Sequence, residues 1–288
     1  MVIAHLIGGL GNQMFQYAAA KALAAKYDTT LLLDISSFES YTLHQGFELN
    51  RIFRGDFDLA QNADTQKMLG WQSFKSVKSY LHRPSLSWLR KKSLAVEPCF
   101  EYWEGFEQLS ADTYLSGYWQ SERYFISAED IIRDDFRFST PLSDENLELA
   151  DKINHSESVS LHVRRGDYIN NSVYASCSLD YYQSAINHLS MQFDSPNFFI
   201  FSDDIDWVKE NINLKHPHVY IDNNQGDQSY NDMRLMSLCM HNIIANSSFS
   251  WWGAWLNAND AKTVIAPKKW FNTDLNSKDL IPASWIRL

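Results

Sequence analysis

The side chains that could do chemistry first stand out between His162 and Asp167, where two adjacent arginines follow an apolar, strand-like run. An arginine at the carboxyl end of a parallel strand can hold a phosphate through two parallel charged hydrogen bonds. Because side chains alternate along a strand, His162 and Arg164 are expected to face one site, and Arg165 to face the opposite side in a structural role. The alternative is that the arginines form surface ion pairs. Asp167 could either hold the loop or accept a proton.

A second candidate is the polar segment Asn246, Ser247 and Ser248, which precedes an apolar helix predicted over 249–257. The N–H groups at such a helix start, together with the two serine hydroxyls, could form an anion site. The alternative is ordinary N-capping of the helix. Tryptophans cover much of the helix circumference, which predicts that this helix is buried.

Acidic residues follow or begin other predicted elements. Asp203 comes directly after the strand predicted at 197–201, whereas Asp204 and Asp206 begin the next helix. Such acids could bind a divalent metal on a nucleotide-sugar diphosphate, but acids at a helix start also suit the helix dipole, and we predict no metal. Asp203 is nearest the end of the sheet and is the better candidate for a site. Asp232, near the start of an apolar helix, could accept hydrogen bonds from the N1–H and amino groups of guanine, or could cap its helix.

The glycines Gly9 and Gly11 lie in the first loop of a strand–helix–strand opening. Their spacing is similar to a dinucleotide-binding fingerprint, but Met14 stands at the third glycine position and would crowd the pyrophosphate. NAD and FAD are therefore disfavoured. The loop is expected to aim backbone N–H groups and the amides of Asn12 and Gln13 at a cleft, or to be a plain strand–helix turn.

Short apolar strands alternate with helices from residue 159 to residue 266. This pattern predicts an α/β fold with a parallel sheet covered on both faces, built by right-handed crossovers. We expect two domains, 1–150 and 151–288, with an irregular, aromatic-rich stretch over 36–150. The basic residues around Arg90 to Lys92 are expected to form a solvated face, and contact with an anionic lipid headgroup is the alternative.

Composition limits the class of protein. The chain has 288 residues and a formal net charge of −10, which argues against bulk binding of nucleic acid. Its three cysteines are scattered, as expected for reduced thiols in the cytoplasm. The start of the chain does not resemble a signal peptide, and no apolar run approaches the ~20 residues that span a membrane.

Four motifs together resemble the bacterial α-1,2-fucosyltransferases of glycosyltransferase family eleven. They occur in order along most of the chain, at residues 8–18, 117–125, 162–168 and 246–256. The resemblance implies a GT-B fold, in which two Rossmann-like domains face a cleft and the C-terminal one binds most of GDP-fucose. It also implies an inverting transfer of L-fucose to O2 of a terminal galactose in a β-galactoside acceptor, with no metal and no cofactor.

The resemblance also implies roles for single residues. In related α-1,6- and protein O-fucosyltransferases, the residues that match His162 and Arg164 contact the nucleotide and β-phosphate, and the acid that matches Asp232 reads guanine. We take Arg164 and Asn12 as catalytic candidates. The remaining donor-site candidates are Asp203, Asn246, Ser247, Ser248, Gly9 and Gly11. The α-1,6 enzymes have a lysine and a glutamate just after the arginine motif, whereas here Tyr168 follows Asp167. A general base is therefore not carried over from the resemblance, and Asp167 stays the candidate.

Two other functions are kept open. One is a different GDP-sugar-dependent glycosyltransferase on the same scaffold. The other is a non-catalytic galactoside-binding protein that uses the aromatic stretch at 70–125. We expect a cytoplasmic protein, which a lipid-linked acceptor would bring to the inner face of the cytoplasmic membrane.

Overall fold

The computed structural model describes residues 1–40, 45–166 and 176–288. Asp167, the candidate base, lies outside the described residues. The described chain forms two compact units, one of Met1–Ser139 with Lys278–Leu280 and one of Thr140–Ser277 with Ile281–Leu288. Each unit is built around its own parallel sheet.

The first unit has a four-stranded parallel sheet in the order β2-β1-β4-β3. Its strands are β1 (Val2–His5), β2 (Leu31–Asp34), β3 (Leu94–Val96) and β4 (Thr113–Ser116). Its α-helices are α1 (Leu10–Lys26), α2 (Leu49–Ile52), α3 (Asn62–Leu69), α4 (Lys75–Leu81) and α5 (Glu129–Asp135). The stretch expected to be irregular thus supplies β3 and β4, which are half of this sheet. The sequence did not reveal these strands, because strands of three and four residues are too short to show an alternating pattern.

The second unit has a six-stranded parallel sheet in the order β10-β9-β8-β5-β6-β7. Its strands are β5 (Glu157–Val163), β6 (Pro196–Ser202), β7 (His218–Ile221), β8 (His241–Ile243), β9 (Val264–Ala266) and β10 (Ile286–Arg287). Its helices are α6 (Asp144–Asn154), α7 (Leu179–Gln192), α8 (Ile205–Asn211), α9 (Tyr230–Leu238) and α10 (Ser248–Leu256). Within this sheet, the first three strands run outward from β5 to β7, and the next three, β8 to β10, lie on the other side of β5. This is a doubly wound order, and its switch point lies between β5 and β8.

The two faces of β5 carry different side chains. Val159, Leu161 and Val163 are buried in one core with residues of α7 and α8. On the other face, the Ser160 hydroxyl accepts a hydrogen bond from the Asn242 amide, and the His162 ring lies 6.1 Å from the ring of Phe249 in α10. The period of two predicted for this strand therefore separates an apolar face from a polar one.

Helix α10 is buried, as its tryptophans predict. Trp251 and Trp252 have no exposed surface, and Trp255 is 3% exposed. The helix packs on α9 so closely that a Cβ atom at Gly253 would lie 2.9 Å from the Met236 Cβ. The start of α10 is thereby held at the carboxyl end of β8.

Candidate active site

Three loops meet at the carboxyl ends of neighbouring strands in the second unit. The arginine turn follows β5, the Asp203 loop follows β6, and the Asn246–Ser247 loop follows β8. Since β5 lies between β6 and β8 in the sheet, the arginine turn lies between the other two loops. The switch point of a doubly wound sheet is where such proteins bind ligands.

Asp203 organises the arginine turn. One of its oxygens lies 3.2 Å from Nε of Arg164. The backbone N–H groups of Arg165 and Gly166 donate to the same carboxylate over 2.9 and 3.0 Å. A Cβ at Gly166 would lie 2.7 Å from the Asp203 Oδ2, so a larger residue there would push the carboxylate away. Asp203 thus fixes both the backbone of the turn and the direction of the Arg164 guanidinium.

Arg165 lies on the opposite side of the strand, as the alternation predicts. Its guanidinium carbon is 3.6 Å from the ring centre of Trp207, and its Nε is 3.2 Å from an oxygen of Asp204. Asp204 also caps α8 by accepting the N–H of Trp207. Arg165 therefore anchors the turn to α8, with Asp204 as its partner in the described structure.

His162 is buried beside α10, with 5% of its surface exposed. Burial, with the nearby charge of Arg164 as the smaller cause, lowers its pKa to about 3, so the ring is neutral near pH 7. Among the described residues, its Nδ1 has no hydrogen-bond partner. A buried polar atom without a partner is costly, which makes this nitrogen a natural contact for a bound ligand.

The loop before α10 is held by its own side chains. Ser247 is the N-cap of α10, and its hydroxyl accepts the N–H of Phe249 over 3.3 Å. The amide of Asn246 donates to the carbonyl of Trp270 and accepts from the thiol of Cys177. Ser248 is the first residue of the helix and is half-buried. Ser247 thus has the capping role that the sequence left open, and the anion site at this terminus stays a prediction.

Asp232 lies in the first turn of α9, and its carboxylate accepts a hydrogen bond of 2.9 Å from the amide of Asn224. Asn224 is paired in turn with Asn146 at the start of α6, through bonds of 2.8 and 3.0 Å. Burial raises the pKa of Asp232 to about 7. In the described structure its partner is this side-chain amide, so Asp232 is not the N-cap of its helix. Neither asparagine was predicted from the sequence. Asn224 could have been found from its position after β7, at the end of a strand, whereas no feature of the sequence singles out Asn146.

The glycine loop belongs to the first unit. Gly9 is the N-cap of α1, which begins at Leu10. The Asn12 side-chain oxygen accepts a bond of 2.7 Å from the Gln120 amide, which joins two of the family-like motifs. The prediction for Gln13 is wrong: its buried amide donates to the carbonyl groups of Gly8 and Gly46 and accepts the N–H of Glu48. Gln13 therefore ties loops together and is not aimed at a cleft.

The predicted site residues divide between the two units. The residues at the carboxyl end of the second sheet are His162, Arg164, Asp203, Asp232, Asn246, Ser247 and Ser248, whereas Gly9, Gly11 and Asn12 lie in the first unit. Within the described ranges, no three His, Cys, Asp or Glu side chains are grouped as metal ligands would be. In the same ranges, no helix combines the length and apolarity needed to cross a bilayer.

Curated proteins similar to this chain are glycosyltransferases. An α-1,2-colitosyltransferase of Escherichia coli is 38% identical over 100% of this chain and 99% of its own length. The O-antigen biosynthesis glycosyltransferase WbnK of Escherichia coli is 34% identical over 98% of this chain and 99% of its own. A galactoside 2-α-L-fucosyltransferase of Bos taurus is 27% identical over 86% of this chain and 62% of its own.

Solved structures show the same fold. Fucosyltransferase NodZ from Bradyrhizobium superposes with a TM-score of 0.53 at 16% identity, covering 88% of this chain and 91% of its own. The α/β fold of the GT-B type is therefore confirmed. The family profile of glycosyl transferase family 11 matches residues 101–288. With that match and the full-length relatives, the chain belongs to glycosyltransferase family 11 and is a glycosyltransferase.

Proposed function

We propose that this enzyme transfers L-fucose from GDP-fucose to O2 of a terminal galactose, with inversion at the fucose carbon and without a metal. The observation that carries the proposal is that Arg164, held by Asp203, and a buried, neutral His162 lie near each other at the end of β5, at the switch point of the second sheet. A cation and a polar ring suit a diphosphate leaving group and its nucleoside.

In the proposed reaction, the bond between fucose C1 and the β-phosphate oxygen breaks while galactose O2 attacks C1 from the opposite face. Negative charge grows on the departing GDP, and Arg164, already oriented by Asp203, stabilises it. The helix start at Ser247 and Ser248 is the further proposed donor contact. One preorganised donor of this kind is typically worth ~10²–10³ in rate. The proton of the galactose hydroxyl leaves with the attack, and Asp167 is the proposed acceptor.

The base of the nucleotide is proposed to be guanine, read by Asp232. A carboxylate can accept from both the N1–H and the amino group of guanine, whereas uracil offers one such donor. The Asn224 amide donates a single hydrogen bond to Oδ1 of Asp232, and each carboxylate oxygen can accept two, so both oxygens can still accept from guanine. Protection by GDP and not by UDP or TDP in a thermal-shift measurement is the expected result.

The donor sugar is the least constrained part of the proposal. The relative with 38% identity is named a colitosyltransferase, and colitose is fucose without its 3-hydroxyl. A site that hydrogen-bonds a substrate hydroxyl rejects the analogue lacking it by roughly 10⁴–10⁵. Comparing kcat/KM for GDP-fucose and GDP-colitose therefore decides between the two donors, and a higher value for GDP-colitose would overturn the fucosyl assignment.

The test of the whole proposal is turnover of GDP-fucose against a panel of β-galactosides, with and without a chelator. We expect release of GDP, an α-1,2 linkage by NMR, and unchanged rates with chelator. Loss of activity with chelator and its recovery with Mn²⁺ would overturn the metal-free mechanism. Galactoside binding without any GDP release would favour the non-catalytic alternative. A lipid-linked glycan as natural acceptor would bring the enzyme to a membrane surface.

A further inference from the structure

The segment between Asp64 and Glu97 differs in charge from the rest of the chain. Every charged residue between those two acids is a lysine or an arginine, in a chain of net charge −10. Lys75, Arg83, Lys91 and Lys92 are exposed there. One region of the first unit is therefore strongly basic, while the remainder is acidic.

The same segment exposes large aromatic side chains. Trp88 is 77% exposed, Phe74 61%, Tyr80 58% and Trp71 57%. Single exposed apolar residues are ordinary, but large apolar patches mark interaction sites. We name these four aromatic residues, with Lys75, Arg83, Lys91 and Lys92, the aromatic–basic face.

Hydrogen bonds hold the turns of this face next to one another. The Gln72 amide donates to the Leu89 carbonyl over 2.8 Å and accepts the N–H of Lys91 over 3.0 Å, which joins the Trp71 turn to the Trp88 turn. Arg90 donates to the Leu81 carbonyl over 2.8 Å, which joins the second turn to the end of α4. The turns that carry Trp71 and Trp88 are thus fixed to each other and to the end of α4, the helix that carries Tyr80.

Beneath the aromatic–basic face, the segment packs on a hydrophobic core. The aromatic side chains are therefore exposed although a core lies next to them. Leu69 and Leu81 are buried against Leu94 and Val96 of β3. On α4, Lys78 points inward to Asp34, whereas Tyr80 points outward, and its ring lies 5.0 Å from the Arg83 guanidinium. The segment therefore has a fixed inner side and a chemically distinct outer side.

We propose that the aromatic–basic face binds the surface of an anionic lipid bilayer. Trp and Tyr favour the boundary between headgroups and acyl chains, and lysines and arginines are attracted to anionic headgroups. Long basic side chains can place their stems along apolar surface while their charges stay in water. A second copy of the chain fits less well, because two such faces would bring like charges together. The proposal depends on the residues of this face and is independent of which sugar donor and which glycan acceptor the enzyme uses.

The test is co-sedimentation of the full chain with vesicles of phosphatidylcholine and phosphatidylglycerol in a ratio of about 2 to 1. We expect binding that weakens strongly between about 0.05 M and about 0.5 M salt, because salt screens exposed charges. Lys91→Glu/Lys92→Glu and Trp71→Ser/Phe74→Ser/Trp88→Ser should each lower the partition coefficient by about tenfold or more.

Matched controls come from the second unit. Lys268→Glu/Lys269→Glu reverses another exposed lysine pair, and Met191→Ser removes an apolar side chain that is 88% exposed. Both should bind vesicles like the wild type. All variants are compared by thermal unfolding and by GDP protection, so that a misfolded variant is recognised. Vesicle binding without any fucosyl transfer would leave this inference standing and the proposed function wrong.

Any of the following results would overturn the proposal. The first is equal binding to pure phosphatidylcholine or to no vesicle. The second is an equal loss of binding in the control variants. The third is a dimer in light scattering that the variants of the face dissociate, or tighter binding to a single-stranded oligonucleotide than to vesicles at the same salt.

Discussion

Asp203 contacts three successive residues of the arginine turn, so the geometry of Arg164 depends on an acid in the loop after the neighbouring strand. Two neighbouring arginines consequently have different tasks. Arg164 is oriented by Asp203 at the strand end, whereas Arg165 is stacked on Trp207 and paired with Asp204. Their side chains are chemically identical, and only the alternation of the strand distinguishes them.

This difference predicts different effects for the same substitution. Arg164→Lys should lower kcat/KM for the GDP-sugar by roughly 10²–10³, because lysine cannot reproduce a two-pronged contact with phosphate. Arg165→Lys is the matched control. It should leave kcat/KM unchanged and lower the free energy of unfolding by about 0.5–1 kcal/mol through the loss of stacking on Trp207. Steady-state kinetics and urea unfolding of both variants check this, and equal kinetic losses would contradict the assignment.

At the scale of elements, the contact between α9 and α10 sets where the polar loop before α10 lies. Gly253 makes this contact possible, since an added Cβ would also lie 3.2 Å from the Met236 sulfur. The tryptophans of α10 are buried as well, with the ring centres of Trp251 and Trp252 5.0 Å apart. The start of α10 is therefore positioned by packing, with the Ser247 cap as an addition.

Gly253→Ala should destabilise the protein even though alanine is the better helix former. Overpacking a close contact costs typically ~1–3 kcal/mol. The gain in helix propensity is only about 1 kcal/mol. We expect a net loss of about 1 kcal/mol in the free energy of unfolding, measured by urea titration. The exposed Ser184→Ala in α7 serves as control and should change stability by less than about 0.5 kcal/mol. A Gly253→Ala protein as stable as the control would show that the two helices can move apart freely.

At the scale of the whole molecule, the sequence predicts those features of the fold that follow from a regular spacing of apolar residues. The alternating strands of the second unit and the two faces of β5 follow from burial with a period of two. The interactions of Gln13 and of Asn224, the residue that donates to Asp232, could not be predicted in this way. The partner of Gln13 at Gly46 is 33 positions away, and the partner of Asn224 at Asn146 is 78 positions away. Contacts at such separations leave no periodic signal in a single sequence.

Each unit contains a carboxyl and a histidine whose pKa values are shifted in opposite directions by burial. Burial raises the pKa of Glu97 to about 7 and lowers that of His5 to about 4 in the first unit. In the second unit, burial raises the pKa of Asp232 to about 7 and lowers that of His162 to about 3. Between about pH 4.5 and 6.5, folding makes each carboxyl take up a proton and makes each histidine lose one.

The shifts of these four groups oppose one another, so their summed contribution to the free energy of unfolding should be nearly independent of pH between about pH 4.5 and 6.5. Glu97→Gln/Asp232→Asn removes the carboxyls, and the remaining histidines bind more protons when unfolded, so stability should rise with pH. The slope is at most about 1.4 kcal/mol per pH unit for each histidine. His5→Gln/His162→Gln should show the reverse, with stability falling as pH rises, because the carboxyls then bind more protons when folded. Urea titrations across this range, with a probe in each unit, measure the slopes, and parallel slopes in the two double variants would show that these four groups do not set the pH dependence.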